Sequence, residues 1–415
     1  MTTSMGTASS PLPPPSHEVV LPHARSIALG GKIGRGSAAT VYRGVLEGAF
    51  RLRRPVAVKV FDVLGTDERD EIVTALARAV RHAALIDHPN VVKVHDFALV
   101  SNAQPVIVSE LIEGVPLGVL LASLTSSERR LRTDVALFIA HEIAEALDGA
   151  REARTIEGLP LRVHHHGLSS ADVLLSWHGD VKVTDFELAT ALRGSSMVRR
   201  PAAILKRLTT LAPEVARGKR GDARSDVFAL GVLLREMLVG PRFPSTTTEA
   251  QLGVWVLDGH VEGRLLDPLV PAPLGPILAR ALDPEPDQRY AHAGAMAFDL
   301  RRACLSMGVG DARIFLRSTL EEVCGVGRYS SSETTQPSKL LPAELFTPAE
   351  SGSHPSAKAE SGSQLAAERA PEGESSPSLA ESGPRLAFRP ASSEPRLRAD
   401  TPSADQLTVH RVHRD

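Results

Sequence analysis

The segment that most constrains the fold of this chain runs from Leu161 to Ala189 and reads LRVHHHGLSSADVLLSWHGDVKVTDFELA. An apolar run from Val173 to Leu175 leads into a short turn, and the alternating residues Val181 to Val183 then predict a strand. Asp172 stands just before the first run, and Asp185 stands just after the second. The pattern indicates two short strands joined by a turn, with an acidic residue near each outer end.

Other motifs accompany this segment in a fixed order along the chain. A glycine-rich stretch, IGRGSAATV, extends from Ile33 to Val41, and glycines let a backbone approach phosphate oxygens because no Cβ intervenes. The run VAVK then places Lys59 among apolar neighbours, where a lysine needs a counter-charge. Three more motifs complete the set: LAPE at 211–214, RSDVFALG at 224–231, and the segment from Asp283 to Arg289.

Together these motifs resemble the catalytic domain of Ser/Thr protein kinases. The residues from Ala146 through Gly158-Leu159-Pro160 to His164 are similar to those of bacterial, and especially myxobacterial, members of that family. The resemblance implies an α+β, two-lobed protein-kinase-like fold over residues 26–325. It divides this domain into a small β-rich N-lobe, 26–112, and a larger helical C-lobe, 113–325.

The resemblance also implies roles for single residues. Lys59 would contact the phosphates of ATP, and Asp185 and Asp172 would be ligands of Mg²⁺, a hard cation that prefers oxygen donors. The other residues implied for the ATP site are Ile33, Gly34, Gly36, Val41, Ala57, Glu110, Leu111 and Leu174. A structural set is implied as well: His165, Phe186, Glu214, Asp226 and Arg289.

The proton-accepting Asp of the family has no counterpart in this chain. Counting from Asp172, which replaces the family's Asn, puts Gly167 at that position, and glycine cannot accept a proton. A register shifted by one residue would put His166 there, and an imidazole accepts protons near pH 7. The lysine expected two positions further on is Ser169. Loss of a general base lowers an enzymatic rate by about 10²- to 10⁴-fold.

Two further catalytic parts depart from the family pattern. The helix Glu that holds the lysine falls at Ala79, so Asp185 becomes an alternative partner for Lys59. The glycine expected after Phe186 is Glu187, whose carboxylate could bind an extra metal ion or repel phosphate. The losses therefore affect separate parts of the machinery, and one misaligned residue cannot explain them.

The retained frame and the missing chemistry predict a pseudokinase that acts in signalling by binding protein partners, with ATP and Mg²⁺ as candidate ligands. One alternative is an active, atypical Ser/Thr kinase that transfers the γ-phosphate of ATP to protein hydroxyls through His166 or without a base, because the transition state is loose. Another is a nucleotide-independent scaffold whose cleft is filled by its own side chains, such as Glu187.

Composition narrows the remaining choices. A net charge of −2 argues against general affinity for nucleic acid or anionic membranes. Only two cysteines, Cys304 and Cys324, favour a reducing cytoplasm over a disulfide framework. The sequence contains no run of about 18 apolar residues, so it does not predict a transmembrane helix. Ser, Thr and Pro dominate residues 1–25, and Ser, Pro, Glu and Ala dominate residues 328–415, so we expect disorder in both. The oligomeric state stays open.

Overall fold

The computed structural model of the chain describes residues 26–36, 38–48, 52–62, 69–100, 104–193, 208–243, 246–261, 269–325 and 340–341. The leader expected at 1–25 lies outside these residues, and so does the tail expected at 328–415, apart from Leu340 and Leu341. Within the described part of the chain, no helix combines the length and the apolar character needed to cross a membrane.

An antiparallel sheet forms the N-lobe, with the strand order β4-β5-β3-β2-β1-β9. The strands are β1 (Ser26–Arg35), β2 (Ala39–Glu47), β3 (Arg53–Phe61), β4 (Val94–Val100), β5 (Gln104–Glu110) and the two-residue β9 (Leu340–Leu341). Along β3, Val56 and Val58 are buried in the core, whereas the alternate residues Ala57 and Lys59 are half-buried. Successive side chains of a strand point to opposite faces, so this pattern turns Lys59 away from the apolar core.

Helix α1 (Arg69–Ala84) lies between β3 and β4 in the chain. Its buried residues, Ile72, Leu76, Ala79 and Val80, form one apolar face at helical spacing. This face shares a hydrophobic cluster with Phe61 of β3, Ile107 of β5, and Leu188 and Leu192. Packing therefore attaches α1 to the segment that follows Asp185.

Helices make up most of the C-lobe. They are α2 (Leu117–Ser126), α3 (Thr133–Glu152), α4 (Leu188–Ala191), α5 (Pro213–Ala216), α6 (Ala223–Val239), α7 (Glu249–Leu257), α8 (Gly275–Ala281), α9 (Ala293–Ser306) and α10 (Ala312–Cys324). Of the 17 residues of α6, 13 are buried, which is expected of a helix that is apolar nearly all round. Helices α3 and α9 pack against α6 and against each other.

A second, three-stranded sheet lies at the start of the C-lobe, with the order β6-β7-β8. It consists of β6 (Gly114–Pro116), β7 (Val173–Ser176) and β8 (Val181–Val183). The predicted α+β, two-lobed fold is confirmed. Sequence patterns did not predict β6, β9, α2, α4, α5 or α7; the four residues of α4, LATA, are too few to carry a helical period.

Candidate functional site

Lys59 and Asp185 form an ion pair that joins β3 to the loop after β8. The Nζ of Lys59 donates to both carboxylate oxygens of Asp185. The backbone of Lys59 is fixed on both sides, because it pairs with Val41 on β2 and with Ile107 on β5. With Ala79 at the helix position, Asp185 is the partner that Lys59 finds.

Asp172 lies at the same end of the β7–β8 hairpin as Asp185. Val173 pairs with Val183, and the N–H of Thr184 donates to the carbonyl of Asp172 at 2.9 Å. The Oδ2 of Asp172 accepts hydrogen bonds from the N–H (2.9 Å) and the hydroxyl (2.7 Å) of Ser169. Burial raises the pKa of Asp172 above its ordinary value, and the charge of Asp185 adds to the rise.

These two carboxylates fit Mg²⁺. Proteins usually hold this cation through one or two carboxylates and leave the other positions to phosphate oxygens and water. A bound cation would also relieve the repulsion between Asp172 and Asp185 that contributes to the raised pKa. Among the described residues, no group of three or more His, Cys, Asp or Glu side chains is arranged to hold a metal ion. Phosphate or water would therefore have to complete the coordination.

The glycine-rich stretch connects β1 to β2. Gly34 pairs with Val41, and the N–H of Gly36 donates to the carbonyl of Ala39 at 2.8 Å. A Cβ on Gly34 would lie 3.9 Å from the Cβ of Val41, and one on Gly36 would lie 3.5 Å from the carbonyl oxygen of Ala39, both ordinary contacts. Internal packing does not demand glycine at either position, which is consistent with close approach of an outside group such as phosphate. Ser37, in the same stretch, lies outside the described residues.

Backbone groups are free where the chain leaves β5. The carboxylate of Glu110 accepts from Lys182 (2.8 Å) and from the N–H of Lys93 (3.0 Å), and its own N–H donates to the carbonyl of Lys93 (2.9 Å). Within the described part of the chain, the peptide groups of Leu111 and Ile112 have no hydrogen-bond partner. These groups could bind the edge of a planar heterocycle. Sequence reasoning stopped at Leu111 and missed Ile112, whose side chain carries no signal for a role of its backbone.

The other residues implied for the ATP site lie on four strands. Ile33, on β1, is 50% exposed, and Val41 follows on β2. Ala57, on β3, pairs with Ser109 of β5. Leu174, on β7, pairs with Lys182 of β8 and with Pro116 of β6.

Helix α1 contributes a histidine to the site. Ala79 is buried in the apolar cluster, one turn before His82. The Nδ1 of His82 lies 2.7 Å from the Oε2 of Glu187, so the pair ties α1 to the residue after Phe186. Glu187 has a left-handed backbone, with φ of 60°, which costs a non-glycine residue roughly 1–2 kcal/mol. Sequence reasoning missed His82, because nothing in a helical pattern shows which distant carboxylate a histidine will meet.

His165 is buried in the loop that leads from α3 to β7. Its N–H donates to one carboxylate oxygen of Asp226 at 2.7 Å, and its Nε2 lies 2.9 Å from the carbonyl of Thr184. Its ring packs on Phe186, with 5.0 Å between ring centroids. The other oxygen of Asp226 accepts from the N–H of His166 at 2.9 Å. One carboxylate at the start of α6 thus holds two consecutive residues of the loop.

Gly167 has almost no room for a side chain. A Cβ built on Gly167 would lie 2.5 Å from the Cβ of Ala189 in α4, well inside ordinary contact. The ring of His166 lies edge-on to His164, with 5.5 Å between centroids, and its Nδ1 is next to Gly221. Burial lowers the pKa of His166, although Asp226 opposes the shift.

Glu214 and Arg289 form a buried, bidentate ion pair. Both oxygens of Glu214 accept from the guanidinium of Arg289 at 2.9 Å, and Oε1 also accepts from the hydroxyl of Ser225 at 2.6 Å. Burial alone would raise the pKa of Glu214, but these hydrogen bonds outweigh it and hold this pKa below its ordinary value. The pair connects the start of α5 to the loop before α9.

Known proteins resemble this chain over the same region. The family model for protein tyrosine and serine/threonine kinases matches residues 27–293. A probable serine/threonine-protein kinase of Streptomyces coelicolor is 34% identical over 284 residues, which cover 67% of this chain and 39% of that protein. Tyrosine-protein kinase MasK of Myxococcus xanthus is 31% identical over 268 residues, covering 64% of this chain and 41% of MasK.

The chain therefore spans about two fifths of the length of these curated relatives. Among solved structures, the kinase domain of PknI from Mycobacterium tuberculosis aligns with a TM-score of 0.46 at 22% identity. This alignment covers 65% of the chain and 93% of that domain.

Proposed function

Because the chain belongs to the protein tyrosine and serine/threonine kinase family, we propose that it is a pseudokinase. It binds ATP with Mg²⁺ and acts by binding a protein partner, without efficient phosphoryl transfer. The contact between Gly167 and Ala189 carries this proposal. With α4 in place, the space for a proton-accepting side chain at position 167 is taken by the methyl group of Ala189.

Neighbouring groups offer no replacement for the missing base. Ser169 stands where the family's lysine would be, and its hydroxyl donates to Asp172. His166 lies beside Gly221 and His164. Phosphoryl transfer depends mainly on positioning the reactants and neutralising their charge. Loss of several side chains that do this therefore lowers the rate of transfer further than loss of one.

The nucleotide-binding half of the proposal has its own support. Lys59 and Asp185 are in contact, Asp172 lies at the same end of the hairpin, and the peptide groups of Leu111 and Ile112 are free within the described residues. Bound Mg²⁺ and phosphate would supply the charge neutralisation that Lys59 and Asp185 now provide for each other. Nucleotide could thereby shift the contact between the lobes, which is the proposed gating step.

A signalling role with a protein partner follows from the relatives. The Streptomyces protein is named as a probable serine/threonine-protein kinase and MasK as a tyrosine-protein kinase, and protein kinases act on proteins. We propose that this chain contacts another protein although it does not transfer phosphate efficiently. We propose that the chain is related to the serine/threonine type, because the segment from Leu161 to Ala189 resembles that type.

A thermal-shift assay with ATP and Mg²⁺, run beside transfer of labelled γ-phosphate, tests the proposal on the full chain. The variants are Lys59→Ala and the matched control Lys219→Ala, which removes an exposed lysine outside the site. We expect ATP with Mg²⁺ to raise the melting temperature of the wild type and of Lys219→Ala, but not of Lys59→Ala. We expect no transfer by any of the three proteins.

The other outcomes separate the alternatives. Transfer by the wild type that disappears in Lys59→Ala would overturn the pseudokinase proposal in favour of an atypical active kinase. A wild type that no nucleotide stabilises would overturn the ATP-binding half and leave a nucleotide-independent scaffold.

A further inference from the structure

A polar cavity of about 710 Å³ lies on the C-lobe beside the start of α6. None of the residues that line it belongs to the candidate nucleotide site. Its cationic or proton-binding side chains come from the end of α3, the following loop, and the starts of α6 and α9: Arg151, Arg154, Arg162, His164, Arg224 and His292. We propose that this cavity, here called the arginine pocket, binds a phosphorylated peptide segment.

Two of the four arginines already have carboxylate partners. Arg151 lies 2.8 Å from Asp148 and 3.0 Å from Glu152, and Arg224 bonds Asp222 and Asp287. The other two, in the loop between α3 and His164, have no carboxylate partner among the described residues. They are the groups with donors available to an anionic ligand.

The available arginines are Arg154 and Arg162. One nitrogen of Arg154 donates to the carbonyl of Gly158 at 3.1 Å. Arg162 is exposed and makes neither a hydrogen bond nor an ion pair within the described part of the chain. A guanidinium group presents a planar fork of N–H donors that matches the oxygens of a phosphoryl group.

Backbone pairing brings the chain at Arg154 next to the segment that leads into Arg162. Arg154 and Pro160 form an antiparallel bridge, and the N–H of Leu161 donates to the carbonyl of Ala153 at 2.9 Å. Arg162 then adopts a left-handed backbone, with φ of 50°. A non-glycine residue keeps such a conformation only when its surroundings impose it, and strain of this kind is concentrated at binding and catalytic sites.

Size and charge indicate the class of ligand. A volume of about 710 Å³ is within the range of roughly 300–1,000 Å³ typical of ligand pockets and is larger than one phosphate needs. Glu152 and Asp222 are also in the lining, so a polyanion such as a nucleic acid would meet repulsion. A single phosphoryl group on a peptide fits better, because its flanking residues fill the remaining volume.

The arginine pocket is also connected to the loop that carries Gly167. His164, in its wall, lies edge-on to His166. Asp222, in the same wall, caps α6 together with Ser225, and the hydroxyl of Ser225 donates to Glu214. A ligand in the pocket would therefore contact His164 and Asp222, which lie next to the loop of Gly167 and to the start of α6. The proposal stands whether or not ATP binds at the other site.

Fluorescence anisotropy on the full chain tests the proposal, with a phosphoserine peptide library of degenerate flanking residues and a matched serine library as probes. The test variant is Arg154→Ala/Arg162→Gly, in which glycine fits the left-handed backbone, so that unfolding does not explain a loss of binding. The control, Arg129→Ala/Arg317→Ala, removes the same charge from exposed residues elsewhere on the C-lobe. Thermal melts of both variants verify the fold.

We expect the phosphoserine library to bind and the serine library not to bind. The test variant should lose about tenfold or more in affinity, which corresponds to about 1.4 kcal/mol, and the control should bind like the wild type. Equal loss in the control would reduce the effect to general charge attraction and overturn the proposal. Inorganic phosphate that displaces the peptides at the concentration of the phosphoserine library would also overturn the proposal and indicate a site for small anions. Failure of the phosphoserine library to bind the wild type would refute the proposal outright.

Discussion

Gly167→Ala tests the contact on which the functional proposal depends. The new Cβ would lie 2.5 Å from the Cβ of Ala189, whereas carbon atoms in contact are optimally about 3.5–4.0 Å apart, so one of them must move by about 1 Å or more. Such overpacking destabilises a protein by about 1–3 kcal/mol. The smaller backbone entropy of alanine in the unfolded chain offsets roughly 0.4–1 kcal/mol of this loss. We therefore expect a net destabilisation of up to about 2.6 kcal/mol.

A double-mutant cycle with Ala189→Gly measures this contact directly. Ala189→Gly alone should lower the free energy of unfolding by roughly 0.5–1 kcal/mol, because glycine is unfavourable in α4. In that background, Gly167→Ala meets no methyl group, so its penalty should disappear. The free energies come from urea denaturation, and the expected coupling energy is about 1 kcal/mol or more. For a domain of this size, 1 kcal/mol changes the melting temperature by about 2 °C.

Gly253→Ala is the matched control for the same change without the contact. A Cβ on Gly253, within α7, would have no other atom within 4 Å, so alanine should stabilise that helix by roughly 0.5–1 kcal/mol. Gly167→Asp should behave like Gly167→Ala in stability and should not restore transfer, since Ser169 and Ala79 remain. If the effects at positions 167 and 189 add to within about 0.5 kcal/mol, the steric argument is refuted.

Three further predictions concern the ion pairs. Arg289→Met should lower the free energy of unfolding by about 3–5 kcal/mol in urea, because it leaves Glu214 charged and buried. The lowered pKa of Glu214 gives a stabilisation that is complete above its unfolded value of 4.5 and decreases as the pH falls below it, so Glu214→Gln should flatten the acid limb of a melting-temperature profile. Glu187→Gly should be more stable than Glu187→Ala by about 1 kcal/mol. Both variants lose the contact with His82, but only glycine adopts a φ of 60° without strain.

Each of these has a result that would contradict it. An Arg289→Met protein as stable as the wild type would mean that the pair is not buried in solution. An unchanged acid limb in Glu214→Gln would assign the pH dependence to other carboxylates. Equal stability of the two Glu187 variants would mean that position 187 has an ordinary backbone.

The resemblance of the ordered motifs to protein kinases predicted the α+β, two-lobed fold, which is found. The alternation from Val181 to Val183 predicted a strand, and this strand is β8. The short helix α4 could not be predicted, because its four residues gain their stability from the cluster on α1 and not from their own helical period. The sequence offered Asp185 as an alternative partner of Lys59, but it gave no indication that His82 would meet Glu187, since that contact is decided by the approach of a distant helix.

The amino-acid sequence by itself determined the kinase-like frame, the absence of an aspartate at position 167 and the retention of Lys59 and Asp185. These are matters of residue identity and spacing along one chain. Only the tertiary structure decided that Ala189 fills the space beside Gly167, that His82 meets Glu187, and that Arg154 and Arg162 lie in one pocket. The physical reason is that contacts between residues far apart in the chain depend on how whole elements pack, which no local period encodes.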